Sequence, residues 1–147
     1  MGASACEDAV LEFDITTTER ETLVDITQLV AGALGDAGVT GDGLVHVFSP
    51  HTTAGITVNE GADPSVARDI VTSLRRLVPR DGDYRHAEGN SDAHIKTALT
   101  GTHAAVPVVS GTLRLGTWQS IYLAEFDGPR RRRVWLTVTA EAVDGRA

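Results

Sequence analysis

RRVWLTVTAEAV, residues 132–143, carries the clearest secondary-structure signal in the chain. Its apolar positions Val134, Leu136 and Val138 alternate with a second set that includes Trp135. Because side chains point to opposite faces with a period of two along a β-strand, this segment is predicted to be a strand with one strongly apolar face. Trp135 falls on the less apolar face, which indicates that this second face is covered as well.

Shorter segments of the same kind precede it, and glycine, proline and polar turns separate them. The further strands predicted in this way are residues 9–16, 21–25, 44–48, 54–59, 104–109, 112–115 and 120–125. Helical spacing predicts helices over residues 27–34, 64–77 and 91–99. Strands in groups with helices between them favour an α+β fold with two packed sheets over a doubly wound parallel sheet.

The helix over residues 64–77 has the strongest start signal, because Asp63 is a good N-cap residue and Pro64 suits the first helical position. Its apolar spacing predicts that Ile70, Leu74 and Leu77 face the core. No predicted strand leads into a dinucleotide-binding glycine pattern or a P-loop lysine.

A chain of 147 residues fits one compact domain, predicted over residues 9–147 after a flexible N-terminus at residues 1–8. No apolar run approaches the roughly 20 residues that a membrane span needs, and no secretory signal is visible. A cytoplasmic location without membrane partners is the expectation. The net charge of −7 argues against a nucleic-acid partner, because phosphate backbones attract basic surfaces.

Cys6 is the single cysteine, so no disulfide forms within the chain and no cysteine-based zinc site is possible. A metal would need nitrogen and oxygen ligands. Among the five histidines, His86 and His94 frame a dense polar loop that leads into a predicted helix. Single histidines are usually surface or structural residues, whereas three together can hold a catalytic zinc with one open position. The residue types alone do not decide between structural histidines and a three-histidine metal site.

Other polar residues are equally ambiguous from the sequence. Glu60 ends a predicted strand and is a candidate general base, Mg²⁺ ligand or partner of a metal-bound histidine. The arginine run at residues 130–133 fits either a solvated strand entrance or a phosphate grip. Gln119, next to a Trp118 expected to pack, would need a polar partner. Lys96 is the sole lysine.

Four segments in order resemble the signature blocks of one known family. They are HTTAGITVNE (51–60), HAEGNSDAHIK (86–96), VPVVSGTLRLGTWQSI (106–121) and EFDGPRRRRV (125–134). Together they resemble the YjbQ-like family, the secondary thiamine-phosphate synthase group. The resemblance covers the chain from the first predicted strand to the last.

This resemblance implies a β-sandwich of two mainly antiparallel sheets with about three helices, assembled as a homotrimer. It also implies a divalent metal, typically zinc, on His51, His86 and His94, with Mg²⁺ possible beside a pyrophosphate substrate. The further pocket candidates are the catalytic residues Glu60, Asn90 and Gln119, and the substrate-binding residues Lys96 and Arg130.

The implied activity joins a pyrimidine pyrophosphate to a thiazole phosphate with release of pyrophosphate, possibly as a secondary activity. Charge neutralisation by a metal, an arginine or Lys96 suits such a leaving group. Two other classes stay open. One is a metal-dependent hydrolase of a phosphorylated or amide-containing molecule with Glu60 as base. The other is a non-catalytic trimer that binds a small phosphorylated metabolite.

Overall fold

The structure is a computed structural model that describes residues 10–140. The predicted flexible segment at residues 1–8 therefore lies outside the described residues. In chain order the elements are β1 (Leu11–Thr16), β2 (Thr22–Asp25), α1 (Thr27–Asp36), β3 (Gly43–Phe48), β4 (Ala54–Glu60), α2 (Pro64–Leu77), α3 (Ser91–Thr100), β5 (His103–Val109), β6 (Thr112–Leu113), β7 (Gln119–Glu125) and β8 (Arg131–Ala140).

Two sheets form, one of five strands in the order β1-β8-β3-β5-β6 and one of three strands in the order β2-β7-β4. All of their strand pairs are antiparallel. This confirms the α+β fold with two packed antiparallel sheets. The decisive strand β8 lies between β1 and β3, and its register pairs Leu136 with both Leu11 and Val47. Residues 141–143 of that predicted strand lie outside the described part.

The main core lies between the two sheets and is built from the inward positions of both. Val45, Ile56, Leu123 and Leu136 are at most 1% exposed there. Helices α2 and α3 contact strands of the three-stranded sheet. Among residues 10–140, no helix is long and apolar enough to span a membrane.

The outer face of the five-stranded sheet is open to solvent. Leu44 and Trp135 are 49% and 38% exposed, and the Trp135 ring stacks on Phe48 at a centroid distance of 5.9 Å. The cover over Trp135 that the sequence predicts is therefore only a partial one, made by Phe48 on the neighbouring strand.

Helix α2 begins where predicted, because the Asp63 carboxylate accepts a 2.9 Å hydrogen bond from the Ser65 N–H. The prediction for its inward face was wrong at Leu77, which is 70% exposed. The face that packs carries the predicted Leu74 together with Val71, which was not predicted.

Helix α3 ends against β4, and this contact positions the candidate site. Gly101 has φ +91°, a conformation that L side chains rarely adopt, and its carbonyl accepts a 3.1 Å hydrogen bond from the Ile56 N–H. A Cβ added at Gly55 would lie 2.3 Å from the Gly101 carbonyl oxygen. Only glycine at position 55 therefore allows the helix end and the strand to approach this closely.

Candidate functional site

The loop before α3 folds back on the helix and brings two predicted metal ligands together. The His86 and His94 rings lie 5.4 Å apart between centroids and are nearly perpendicular, at 87°. Glu88 Oε2 lies 3.7 Å from His86 Nε2, and the two side chains are 77% and 43% exposed. Solvent therefore reaches these groups, and a ligand could reach them too.

His51 lies between β3 and β4 and shares a cavity with His94. The cavity has a volume of about 380 Å³, and Gly101 and Thr102 also line it. Burial lowers the pKa of His51 below its usual value, and the nearby Arg132 charge lowers it further. The neutral imidazole is therefore favoured at this position, and it is the neutral form that binds metals.

One hydrogen bond limits His51 as a ligand in this conformation. Its Nε2 accepts a 2.9 Å hydrogen bond from the Arg133 backbone N–H. A neutral imidazole has one lone pair and one N–H, so Nδ1 is then the protonated nitrogen. His51 could bind a metal only after it gives up this hydrogen bond.

His86 and His94 are thus accessible and close together, whereas His51 is committed to a backbone hydrogen bond, and the fit of the three to a divalent metal is incomplete in this conformation. Within residues 10–140, no group of three or more His, Cys, Asp or Glu side chains is arranged to hold a metal ion. The three-histidine zinc site therefore stays a prediction, with two of its members in direct ring contact and the third across a shared cavity.

Asn90 and Arg130, both predicted pocket residues, meet through a residue that sequence reasoning missed. Asp127 Oδ2 accepts hydrogen bonds from Asn90 Nδ2 at 2.9 Å and from an Arg130 terminal nitrogen at 3.0 Å. Asn90 Oδ1 is buried and has no hydrogen-bond partner. The sequence feature that could have indicated Asp127 is its position three residues before Arg130, with Gly128-Pro129 between them.

Arg130 keeps much of its guanidinium accessible, with its side chain 53% exposed. The remaining arginines of the run divide as strand alternation predicts. Arg131 and Arg133 point outward to Asp14, whereas Arg132 is buried and ion-paired with Glu125. Arg130 is therefore the member of the run that is linked to Asn90 through Asp127, and the exposed part of its guanidinium can meet an anion while it stays paired with Asp127.

Lys96 does not fit the predicted role of a phosphate contact. Its side chain is fully buried, and Nζ donates to Glu21 and, at 2.8 Å, to Asp92. Arg20 adds two 3.1 Å bonds to Asp92, and Arg75 donates to Glu21 at 2.6 Å. We call these five residues the Lys96 cluster. With both carboxylates facing it and no exposed surface, the ammonium group has no side open to a ligand.

The two carboxylates of this cluster are held in their ionised forms. Burial raises the pKa of Asp92, but hydrogen bonds from Arg20 and Lys96 outweigh burial and leave that pKa below its ordinary value. For Glu21, burial likewise raises the pKa, and hydrogen bonds from Lys96 and Arg75 bring the net shift downward. The cluster is therefore a fully ionic structure inside the fold.

Glu60 and Gln119 lie away from the histidines. They are paired across β4 and β7, at the opposite end of β4 from His51. A seven-residue strand spans about 20 Å at roughly 3.3 Å per residue. Both side chains also have local partners, since Glu60 Oε1 accepts from the Asp63 N–H and Gln119 Oε1 from the Gly116 N–H. Within one chain these two predicted catalytic residues do not join the site.

Comparison with known proteins gives one consistent result. The family described as UPF0047 protein YjbQ-like matches residues 11–141. A UPF0047 protein of Methanocaldococcus jannaschii is 46% identical over 132 residues, which are 90% of this chain and 95% of that protein. The UPF0047 protein YugU of Bacillus subtilis is 45% identical over 123 residues, 83% of this chain and 92% of that protein.

Solved structures agree with the sequence comparison. A YjbQ/UPF0047 family protein from Clostridium acetobutylicum has a TM-score of 0.85 at 50% identity, covering 88% of this chain and 99% of its own. A conserved hypothetical protein from Thermus thermophilus has a TM-score of 0.81 at 49% identity, covering 88% and 99%. These likenesses span the sheets, the helices and the candidate site together.

Proposed function

The chain belongs to the YjbQ-like family, UPF0047, and from this premise we propose that it is a metal-dependent transferase of the thiamine-phosphate synthase type. The observation that carries the proposal is the exposed His86–His94 pair with Arg130 held close by through Asn90 and Asp127. A metal-binding pair beside an accessible guanidinium suits a substrate that carries phosphate groups.

In the proposed reaction, the bond between the pyrimidine methylene carbon and a pyrophosphate oxygen breaks, and its electron pair leaves with pyrophosphate. The thiazole phosphate then bonds to that carbon. A divalent metal, most simply Zn²⁺, would be held by His86 and His94 and would supply positive charge for the leaving group. Mg²⁺, if it takes part, would be bound by oxygens of the pyrophosphate substrate. Arg130 binds phosphate oxygens, and its bonds to Asp127 keep the guanidinium oriented.

Asn90 is proposed as a positioning residue at the start of α3. Its amide nitrogen is committed to Asp127, while its carbonyl oxygen is an acceptor without a partner. A buried acceptor without a donor costs free energy. Because Oδ1 is buried, a substrate N–H or hydroxyl would reach it only after the loop before α3 shifts, and Asn90 would then offer an acceptor for a neutral polar part of a ligand.

His51 is the third proposed ligand, and its bond to the Arg133 N–H makes its role distinguishable from the other two. Binding a metal costs His51 this hydrogen bond, whereas His86 and His94 lose no bond to a backbone N–H. We therefore expect graded effects, with metal affinity falling further in His94→Ala and His86→Ala than in His51→Ala.

The test is elemental analysis of purified protein beside an assay for thiamine phosphate from the two precursors. Wild type is expected to carry stoichiometric metal and form product, and His94→Ala to lose both. Arg130→Ala should keep the metal but raise KM for the pyrophosphate substrate about tenfold or more, since a charged hydrogen bond is worth roughly 1.5–3 kcal/mol. Arg131→Ala is the matched control, because that arginine is paired with Asp14 on the outer sheet face.

Other outcomes would support a different function or contradict the proposed metal site. Hydrolysis of one phosphorylated substrate without a second would support a metal-dependent hydrolase, although Glu60 lies too far from the histidines of its own chain to serve as the base. Tight binding of the precursors without turnover would indicate a binding protein. Full metal content in His94→Ala would contradict the proposed site.

We propose a homotrimer in the cytoplasm, and light scattering should then give three times the chain mass. Separate trimers of Glu60→Ala and His94→Ala, mixed and reassembled, would regain activity only if Glu60 of one subunit serves the histidines of another.

A further inference from the structure

A second histidine pair lies on the outer face of the five-stranded sheet, outside the four signature blocks. His46 on β3 and His103 on β5 occupy neighbouring strands, with Phe48 as the register partner of His103. His46 Nε2 and His103 Nδ1 are 2.9 Å apart, and the ring centroids are 4.8 Å apart. Both side chains are exposed.

At this distance the two nitrogens share one proton, with one ring donating and the other accepting. When the donating ring carries its proton on its other nitrogen instead, both facing nitrogens have lone pairs, and a small rotation of the two exposed rings directs them at one cation. Two neutral imidazoles placed in this way form a chelate for a transition metal.

The separation of the nitrogens indicates which metals fit. Two nitrogens about 2.05 Å from one ion and 2.9 Å from each other subtend about 90° at that ion. This is the angle of neighbouring ligands in tetragonal Cu²⁺ and Ni²⁺ sites. A tetrahedral Zn²⁺ needs about 109°, which corresponds to nitrogens about 3.3 Å apart. The 2.9 Å separation of the nitrogens therefore needs less adjustment for Cu²⁺ or Ni²⁺ than for Zn²⁺.

The sheet holds the two rings in place without help from the side chains. Strand β3 is in the middle of the sheet, hydrogen-bonded to β5 and β8, and β5 is paired with β3 at His103. Strand backbones fixed in this way lose little further entropy when a metal binds, and preorganisation of that kind raises affinity. Water can complete the coordination, since the described residues form no larger metal-ligating group.

We propose that His46 and His103 form a bidentate surface site for Cu²⁺ or Ni²⁺, separate from the site proposed on α3. The neighbouring aromatic pair offers a reporter for occupancy. Trp135 stacks on Phe48, the register partner of His103, so a bound Cu²⁺ lies close enough to quench the indole fluorescence.

The experiment titrates the full chain with Cu²⁺, Ni²⁺ and Zn²⁺ in a Trp118→Phe background, which leaves Trp135 as the fluorophore. Cu²⁺ is expected to quench Trp135 with one ion per pair. His46→Gln and His103→Gln should each weaken Cu²⁺ binding at least tenfold. Because both rings are exposed, these variants should keep wild-type circular dichroism and melting temperature.

His94→Ala separates this site from the proposed function, because it should lose zinc at α3 and keep the Cu²⁺ response of Trp135. Electron paramagnetic resonance should show two equatorial nitrogens in wild type and fewer in either glutamine variant. Quenching that persists unchanged in both glutamine variants would overturn the proposal, as would a pair that prefers Zn²⁺ to Cu²⁺.

Discussion

Helix α3 presents two contrasting faces. On one, Asp92 and Lys96 are fully buried and paired with each other and with Arg20 and Glu21, which directly precede β2. On the other, His94 is half-buried, contacts the exposed His86 ring and lines a cavity with His51. One ten-residue helix thus holds the fold on one face and offers ligand groups on the other.

The physical difference between the faces is how completely each polar group is satisfied. A buried charge is tolerated only with full pairing, so the Lys96 cluster cannot lose a member cheaply. Half-exposed imidazoles keep water as an alternative partner, so their loss costs the fold little. Substitutions on the two faces should therefore separate stability from ligand binding.

Lys96→Met is expected to have the largest effect on stability. It removes the cation shared by Glu21 and Asp92 and leaves only arginines as their partners, Arg75 and Arg20 for Glu21 and Arg20 for Asp92. Breaking a buried pair costs about 3–5 kcal/mol of unfolding free energy. Urea denaturation followed by circular dichroism measures this loss, and the matched control is Ile95→Ala, the exposed neighbour on the same helix.

If Lys96→Met has the same urea midpoint as wild type, the Lys96 cluster does not stabilise the fold, and the contrast between the two faces of α3 is wrong. If the variant is insoluble, a bound precursor in excess offers a second measurement, because any ligand of the native state adds stability by mass action. The folded fraction should then keep its metal, since no member of the cluster is a proposed ligand.

The strands were predictable because their alternation is local in sequence. β8 reads as a strand from residues 131–140 alone, and the helix start at Asp63 rests on two adjacent residues. The partners of β8 were not predictable, since strand pairing depends on contacts far apart in the chain. For the same reason the sequence did not show that the cover over Trp135 comes from Phe48.

The candidate site was predictable to the extent that it is local. His86 and His94 belong to one loop and helix, so their meeting follows from a short segment. Asp92 and Lys96 stand four residues apart, a spacing typical of an exposed ion pair on a helix. The burial of this pair depends on Glu21, which lies 75 residues from Lys96 in sequence. The bond from the Arg133 N–H to His51 spans 82 residues and depends on the register of β8.

Acid should weaken the same buried face, with an effect below that of removing Lys96. The pKa values of Glu21 and Asp92 are lowered in the fold, so their ionised forms stabilise it. That stabilisation is complete above the ordinary values of 4.5 and 3.8 and is lost as the pH falls below them. Urea midpoints should therefore fall most steeply below about pH 5, after a smaller decline that begins near 6.5, because the pKa of His51 is also lowered in the fold.

Added salt distinguishes this cluster from surface pairs. Buried ion pairs are screened less than exposed ones, so the fall in the urea midpoint below about pH 5 should persist in about 1 M salt. In Lys96→Met the decline should shift to higher pH, because the two carboxylates lose part of what lowers their pKa. A decline that is identical in the variant would mean that other carboxylates, such as the outward Asp14, govern it.

His94→Ala should have the smallest effect on stability and is the sharpest test of the contrast. The ring is half-buried and makes no hydrogen bond to the rest of the protein among the described residues, so the loss in unfolding free energy should be about 0.5 kcal/mol or less. Measured without metal, its urea midpoint should match that of Ile95→Ala. When Zn²⁺ is added in a His46→Gln background, which removes the second proposed site, the parent protein and Ile95→Ala should gain stability by mass action, whereas His94→Ala should not. A large loss in the metal-free state would place His94 on the structural face with Lys96, and α3 would then have no face reserved for a ligand.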